Sequence, residues 1–252
     1  MTVRYSDGSG VPTIPDNDPA RSGPRGMAIR FHLAEHVHTD IIAHSVNGFP
    51  VRTGEEFLEL QRAAAAFGAG HPEALGSFLA AHPNAKRFVE TPKSIPTSFT
   101  REAFFAVTSF KFTNAGGVSR HGRFRIRPEA GTAYLSNAEA AAQSADFLFD
   151  EIGPRLAKEP VKLGVFVQMA EPGDDVADAS VTWPDDRTEI PLGTITLTAR
   201  VDDQAPDRRK IIFDPLPRVD GIDSSGDPLT EARADVYLLS GRRRRAVGDG
   251  RP

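Results

Sequence analysis

Arg233 stands four residues before Tyr237, and Arg244 stands seven residues after it. On an α-helix that spacing puts Arg233 and Tyr237 about one turn apart on a single face. A guanidinium held beside a phenol favours the phenolate. A phenolate is a hard anionic oxygen donor suited to a trivalent metal, whereas an ordinary tyrosine, titrating at about 10, is a poor ligand at neutral pH. Tyr237 is therefore the candidate metal ligand and Arg233 its support. Taken alone, Arg-x-x-x-Tyr is weak, because such pairs are common surface contacts. The other chemical candidates are weaker still. His32, His36 and His38 lie close together, yet no Asp, Glu or His at suitable spacing completes a ligand set, so surface or turn histidines are expected. The run Arg242–Arg245 reads as a solvated helix end favoured by the helix dipole, rather than as a contact to nucleic acid. There is no glycine-rich phosphate loop and no nucleophile elbow.

The helix that would carry Tyr237 has a clear start. Asp227 is a good N-cap and Pro228 a good first helical residue, since the missing N–H is not needed there. Leu229, Ala232, Val236 and Leu239 recur at helical spacing and predict a core-facing stripe. Earlier in the chain, residues 7–26 hold repeated Asp, Gly and Pro and read as a loop. Met27–Leu33 and Asp40–His44 read as strands. Gly54–Phe67 is a helix with an acidic first turn, Pro72–Ala81 a shorter one, and prolines from Pro83 to Thr100 predict an extended connection. Ala103–Thr113, a turn at Asn114–Gly117 and Ser119–Arg127 make a hairpin. Ser136 and Glu139 form a capping box opening a helix that runs to about Leu156. Leu163–Ala170 is a buried strand, 171–191 a long acidic loop, Gly193–Arg200 a last strand, and 201–228 irregular. The expected fold class is α+β: one domain over residues 1–246 with a mostly antiparallel sheet, closed as a barrel, and a polar tail at 247–252.

Composition narrows the function. The chain has 252 residues, enough for a sizeable core, a net charge of −4 and no cysteine. Disulfides, thiolate metal sites and cysteine nucleophiles are thereby excluded, and no global charge draws the chain to nucleic acid. No apolar run reaches the roughly 18 residues of a membrane span, and the first residues are not a signal peptide. A cytoplasmic location is expected, with the periplasm open if a signal has been lost from the N-terminus. Sixteen phenylalanines against three tyrosines and one tryptophan suggest an apolar interior suited to a flat hydrophobic ligand.

The surroundings of Tyr237 resemble the catalase family at several points in the same order. Arg233-Ala-Asp-Val-Tyr237 with Arg244 is similar to the family's proximal motif, and Ile212-Phe-Asp-Pro215 through Val219-Asp-Gly-Ile222 and Asp227-Pro-Leu229 to the segment leading into it. Pro24-Arg-Gly-Met-Ala-Ile-Arg-Phe31, Ser109-Phe-Lys-Phe-Thr-Asn-Ala-Gly-Gly117 and Trp183-Pro184 with Ile190-Pro-Leu-Gly193 resemble its strands and central hairpin. The details look like the small catalase-related haem peroxidases.

The resemblance implies a catalase-like antiparallel β-barrel with flanking helices and bound haem b, its iron held by the Tyr237 phenolate. Catalase is itself the standing example of tyrosine-ligated haem. It further implies that Arg4 and Arg244 meet haem propionates, that Phe57 stacks on the porphyrin, and that Ser6 supports a distal histidine. That histidine and the first barrel strand have no counterpart in the chain, so an N-terminally truncated sequence is expected rather than a rewired distal side. The family's distal asparagine position is taken by His44, with Asn47 three residues later. Peroxide cleavage needs a base to take and return a proton, and His44 is then the residue expected to supply it. The implied function is reduction of hydrogen or organic peroxides with oxidation of an organic donor, at reduced activity. The rivals are a non-enzymatic barrel for haem or another flat apolar ligand, and a haem enzyme converting fatty-acid hydroperoxides. A homo-oligomer is compatible with the sequence; nucleic acid and membrane insertion are not expected.

Overall fold

The computed structural model describes residues 1–8, 13–202 and 211–248, with side chains up to Ala246. Among the described residues the strands are β1 (Thr2–Asp7), β2 (Arg25–Ala34), β3 (Val37–His44), β4 (Phe104–Phe105), β5 (Phe110–Thr113), β6 (Ser119–Pro128), β7 (Val161–Met169), β8 (Glu189–Leu197) and β9 (Ile222–Ser224). They form one antiparallel sheet in the order β1-β2-β3-β4-β6-β5-β9, with β7 on the other side of β6 and β8 beyond it. The helices are α1 (Gly54–Gly68), α2 (Pro72–Ala81), α3 (Pro83–Glu90), α4 (Asn137–Ala141), α5 (Phe147–Asp150), α6 (Ile152–Lys158) and α7 (Pro228–Gly248). No helix is long and apolar enough to cross a membrane.

Period-two alternation gives the sheet two unlike faces. Met27, Ile29, Ile41, Ala43, Phe104, Phe124, Ile126, Leu163, Val165 and Val167 join one buried apolar cluster. The sheet curls far enough that Phe31 and Ile41 share a cavity of about 330 Å³ with Phe124, Val165 and Ile195. The intervening positions on β2 and β3 (Gly26, Ala28, Arg30; Asp40, Ile42, His44) point the other way. That outer face is where the candidate chemistry lies.

The expected hairpin is present, with Phe110 opposite Gly122 and Thr113 opposite Ser119. So is the Ser136–Glu139 capping box, with the Ser136 side chain bonded to the Glu139 backbone and the Glu139 side chain to that of Ser136. Three expectations are corrected. The supposed extended connection after Pro83 begins with helix α3, because proline is tolerated in the first helical turn and Pro83 occupies it. The single helix from Ser136 to Leu156 is three short ones, α4, α5 and α6. The expected apolar stripe on α7 faces the core only in its first half. Leu229 is buried, but Val236 is 63% and Leu239 55% exposed.

What α7 turns inward instead follows from its small residues. A Cβ placed on Gly241 would lie 2.3 Å from the Ile212 side chain, and one on Gly54 of α1 would lie 2.9 Å from the Ala232 Cβ. The helix therefore packs through Ala232 and Gly241 against α1 and the 211–213 segment. That choice fixes the rotation of the helix and brings Arg233, Tyr237 and Arg244 to intermediate burial. Its start is as expected: the Leu229 N–H donates to Asp227 Oδ1 at 2.9 Å.

Candidate functional site

Pairing across β1, β2 and β3 lays the outer-face residues out in rows. Ser6 is opposite Gly26, which is opposite His44; Arg4 is opposite Ala28, opposite Ile42; and Arg30 is opposite Asp40. Along β2 the face is nearly bare, with Gly26 and Ala28 flanked by Arg4 and Ile42, and it is bounded by histidine and serine at one end and by Arg30 with Asp40 at the other. A Cβ on Gly26 would come within 2.5 Å of Ser6 Oγ, so the glycine leaves the room that Ser6 uses.

Helix α7 stands over this face. The charges of Arg244 and Tyr237 both act on Arg4, and that of Arg233 acts on His44, so α7 bridges the two ends. Arg233 Cζ lies 6.0 Å from the centre of the Tyr237 ring. Arg4 Cζ sits 4.5 Å over the Phe213 ring, with Arg30 Cζ at 5.3 Å from the same ring. Arg30 is spoken for: its Nε and Nη2 reach Asp40 at 2.9 and 2.6 Å, and Asp40 also accepts from the Asp214 N–H at 2.8 Å. Arg244 Nη2 donates to the Ile211 carbonyl at 3.4 Å, and Arg4 has the Phe213 ring beneath it. Among the described residues neither has a carboxylate within ion-pair distance, and Arg244 Nε is buried without a partner. Burial first and the nearby Arg244 second hold the Arg4 guanidinium below its ordinary pKa. Two adjacent cations without a counter-ion make a receptor for carboxylates.

His44 lies at the other end, its ring 6.3 Å from Phe49 and 6.4 Å from Phe88. The residue is partly exposed, yet Nε2 is closed off from solvent and has no partner. Nδ1 accepts the Val46 N–H at 3.3 Å. Burial, aided by Arg233, pushes the imidazole pKa down to about 3. Phe57 stands 5.3 Å from Phe49 and extends the same aromatic wall. Asn47 turns elsewhere: its Oδ1 accepts from Arg125 Nη2 at 3.2 Å.

Of the residues singled out in the sequence, Arg4, Ser6, His44, Phe57, Arg233, Tyr237 and Arg244 gather around the interval between α7 and the β1–β3 face, and Asn47 does not. Sequence reasoning missed Phe213, Phe49, Phe88 and the Arg30–Asp40 pair. Phe213 and Arg30 lay within the segments Ile212–Pro215 and Pro24–Phe31 without being given a role, and Asp40 was visible only as the first residue of a strand. His32 bonds Thr2 Oγ1 at 3.0 Å, and His36 sits at φ +59° in the β2–β3 turn. Among the described residues, no three of His, Asp and Glu are placed to hold a metal ion.

The family model named Catalase matches residues 1–248 of the chain. The chain belongs to the catalase family. It is 32% identical over 251 residues to a catalase-related peroxidase from Mycolicibacterium paratuberculosis, covering 98% of this chain and 79% of that protein. It is 30% identical over 245 residues to one from Synechococcus elongatus, covering 95% and 71%. A fungal catalase structure superposes with a TM-score of 0.80 at 21% identity, over 96% of this chain and 51% of that one. The chain thus spans about half the length of the full-size catalase. The antiparallel, curled sheet with flanking helices is the catalase fold, and by family the chain is an oxidoreductase of the catalase and peroxidase type, a family that generally binds haem. The residues present fit that group: two arginines without a carboxylate partner among the described residues, an aromatic wall, a phenol with a neighbouring guanidinium, and an imidazole Nε2 buried without a partner.

Proposed function

We propose that the chain binds haem b between α7 and the outer face of β1–β3, with the Tyr237 phenolate as the proximal ligand of the ferric iron, and reduces hydrogen or organic peroxides with an organic donor. In balance, ROOH and a two-electron donor AH₂ give ROH, water and A. The observation that carries this reading is the convergence of Tyr237, Arg233 and Arg244 from one helix on Arg4 and His44 from the strands. Bound haem supplies the redox chemistry, its anionic ligand favouring O–O cleavage. The protein supplies the rest. Arg4 and Arg244 take the two propionates, and Phe57 offers an aromatic face. Arg233 places a fixed positive charge beside the Tyr237 ring. Gly26 and Ala28 keep the floor flat, and Phe49 and Phe88 keep water from His44. Among the described residues no second imidazole joins His44, so turnover is expected to be slow.

The test is an absorbance scan after haem reconstitution. A Soret band is expected, and its absence sinks the proposal. Tyr237→Phe should abolish or greatly weaken the tyrosinate spectrum; an unchanged high-spin ferric spectrum in that variant would show another ligand. The apolar cavity inside the sheet favours a second reading, a non-enzymatic barrel for a flat apolar ligand. A peroxide-driven change in the reconstituted spectrum separates the two, since mere storage needs none.

A further inference from the structure

Helix α7 has a second face, turned away from Tyr237. Glu231, Asp235, Leu238, Arg242 and Arg245 recur at steps of four and three, which places them on one side of the helix, and all are exposed. Along that side the character changes from acidic to apolar to basic. Glu231 and Asp235 stand four apart and Arg242 and Arg245 three apart, so each charged zone repels itself. Among the described residues no ion pair relieves either zone. The helix dipole favours this order of charges, but its effect fades within the end turns. Asp235 lies beyond the first turn of Pro228–Gly248 and Arg242 before its last. Between them Val236 is 63%, Leu238 41% and Leu239 55% exposed.

We propose that this face is a self-association surface whose occupant is the α7 of a second copy of the chain, packed antiparallel about a two-fold axis between Leu238 and Leu239. A two-fold contact uses the same patch on both copies, so the patch must be its own complement. Acid before the centre and base after it meets that condition. Leu238 faces the partner's Leu239, and Asp235 faces the partner's Arg242, each pair being evenly spaced about the axis. Glu231 meets the rest of the opposite basic zone. The usual helix separation of about 8–10 Å brings such side chains into reach. Leu58 of α1 widens the patch: it is 51% exposed and stands one turn beyond the Gly54 that meets Ala232. An anionic membrane suits the face poorly, because it would repel the acidic half. The patch is short, so the dimer is weak and salt-sensitive, with a dissociation constant on the order of 10 µM. Arg233 and Tyr237 lie on the opposite side of the helix, so the contact leaves them free, and the inference does not rest on the haem reading.

Sedimentation velocity of the full chain between about 1 and 200 µM provides the test. A shift from monomer to dimer is expected as concentration rises, weaker in about 0.5 M salt than in about 0.05 M. Leu239→Glu sets like charges together at the centre and should weaken association by about tenfold or more, with unchanged circular dichroism. Asp235→Arg and Arg242→Glu should each do the same. Their combination exchanges the two charges and should return affinity to within about threefold of the parent. A chain that stays monomeric throughout overturns the proposal, as does a double variant no better than the singles. Dimerisation untouched by all of these changes places the contact elsewhere and refutes it equally. Binding to phosphatidylserine vesicles without a dimer in solution would assign the face to a membrane instead.

Discussion

Strand β3 and helix α7 both present charged groups to the same interval, and they do so by different means. On β3 the alternation is strict: Ile41 and Ala43 are buried in the apolar cluster, while Asp40 and His44 point oppositely. A one-residue slip would exchange the two sets, so burial on one face enforces chemistry on the other. On α7 the stripe suggested by periodicity holds only in its first half, at Leu229 and Ala232, while Val236 and Leu239 are exposed and Gly241 packs inward instead. The two elements also treat a buried carboxylate differently. Asp40 is fully engaged by Arg30 and the Asp214 N–H. Asp227 has one oxygen on the Leu229 N–H and the other without a partner. Burial consequently pushes the Asp227 carboxyl up to about 6, against the pull of its N–H bond, Arg123 and Arg233. The strand side is pinned by paired charge, and the helix side by shape.

If that contrast holds, Asp40→Ala should be the most damaging change. It leaves Arg30 buried and unpaired and frees the 211–214 segment, for about 3–5 kcal/mol lost in chemical denaturation. A loss under about 1 kcal/mol would show that the pair does not pin the strands. Gly241→Val should cost about 1–3 kcal/mol, because the added carbons must displace Ile212. The same variant should also weaken haem uptake, since shifting α7 moves Tyr237; retained haem affinity would mean the helix rotation is not set there.

The Asp227 contrast is read by pH. Its folded-state pKa lies above its ordinary 3.8, at about 6, so the folded protein holds that proton more tightly than the unfolded chain. Stability should therefore fall as pH rises through about 4 to 6 and level off above. Asp227→Asn keeps an N-cap and should remove this component of the slope, as urea midpoints at several pH values would reveal. An identical slope in parent and variant would exclude Asp227 as its source. The smallest effect belongs to the exposed stripe: Val236→Lys and Leu239→Glu should each change stability by no more than about 0.5 kcal/mol. A loss of 2 kcal/mol or more, roughly that of a buried leucine, would restore the periodicity reading of α7.

Much of the site is local and was legible. Asp227-Pro228 announced the helix start, the four-residue spacing of Arg233 and Tyr237 put them together on that helix, and β2 and β3 showed their two faces. The hairpin and the capping box are likewise short-range, carried by turn and cap residues whose preferences do not depend on distant contacts. What failed was non-local. The inward placing of Gly241 depends on Ile212, 29 positions away in the chain, and no helical period encodes it. Pro83 looked like a breaker because only its position within the helix, not its identity, decides whether its missing N–H matters.

The sequence by itself determined which side chains the site has to work with, because a phenol with an arginine four residues before it and two further arginines keep their chemical character wherever they lie. Tertiary structure decided the rest. Only the sheet register set Arg4 and His44 in separate rows of one face, and only the Arg30–Asp40 pairing left Arg4 and Arg244 without a carboxylate partner among the described residues. Each of these is a matter of which partners remain after the chain has folded, and burial, by excluding water as the substitute partner, makes that remainder count.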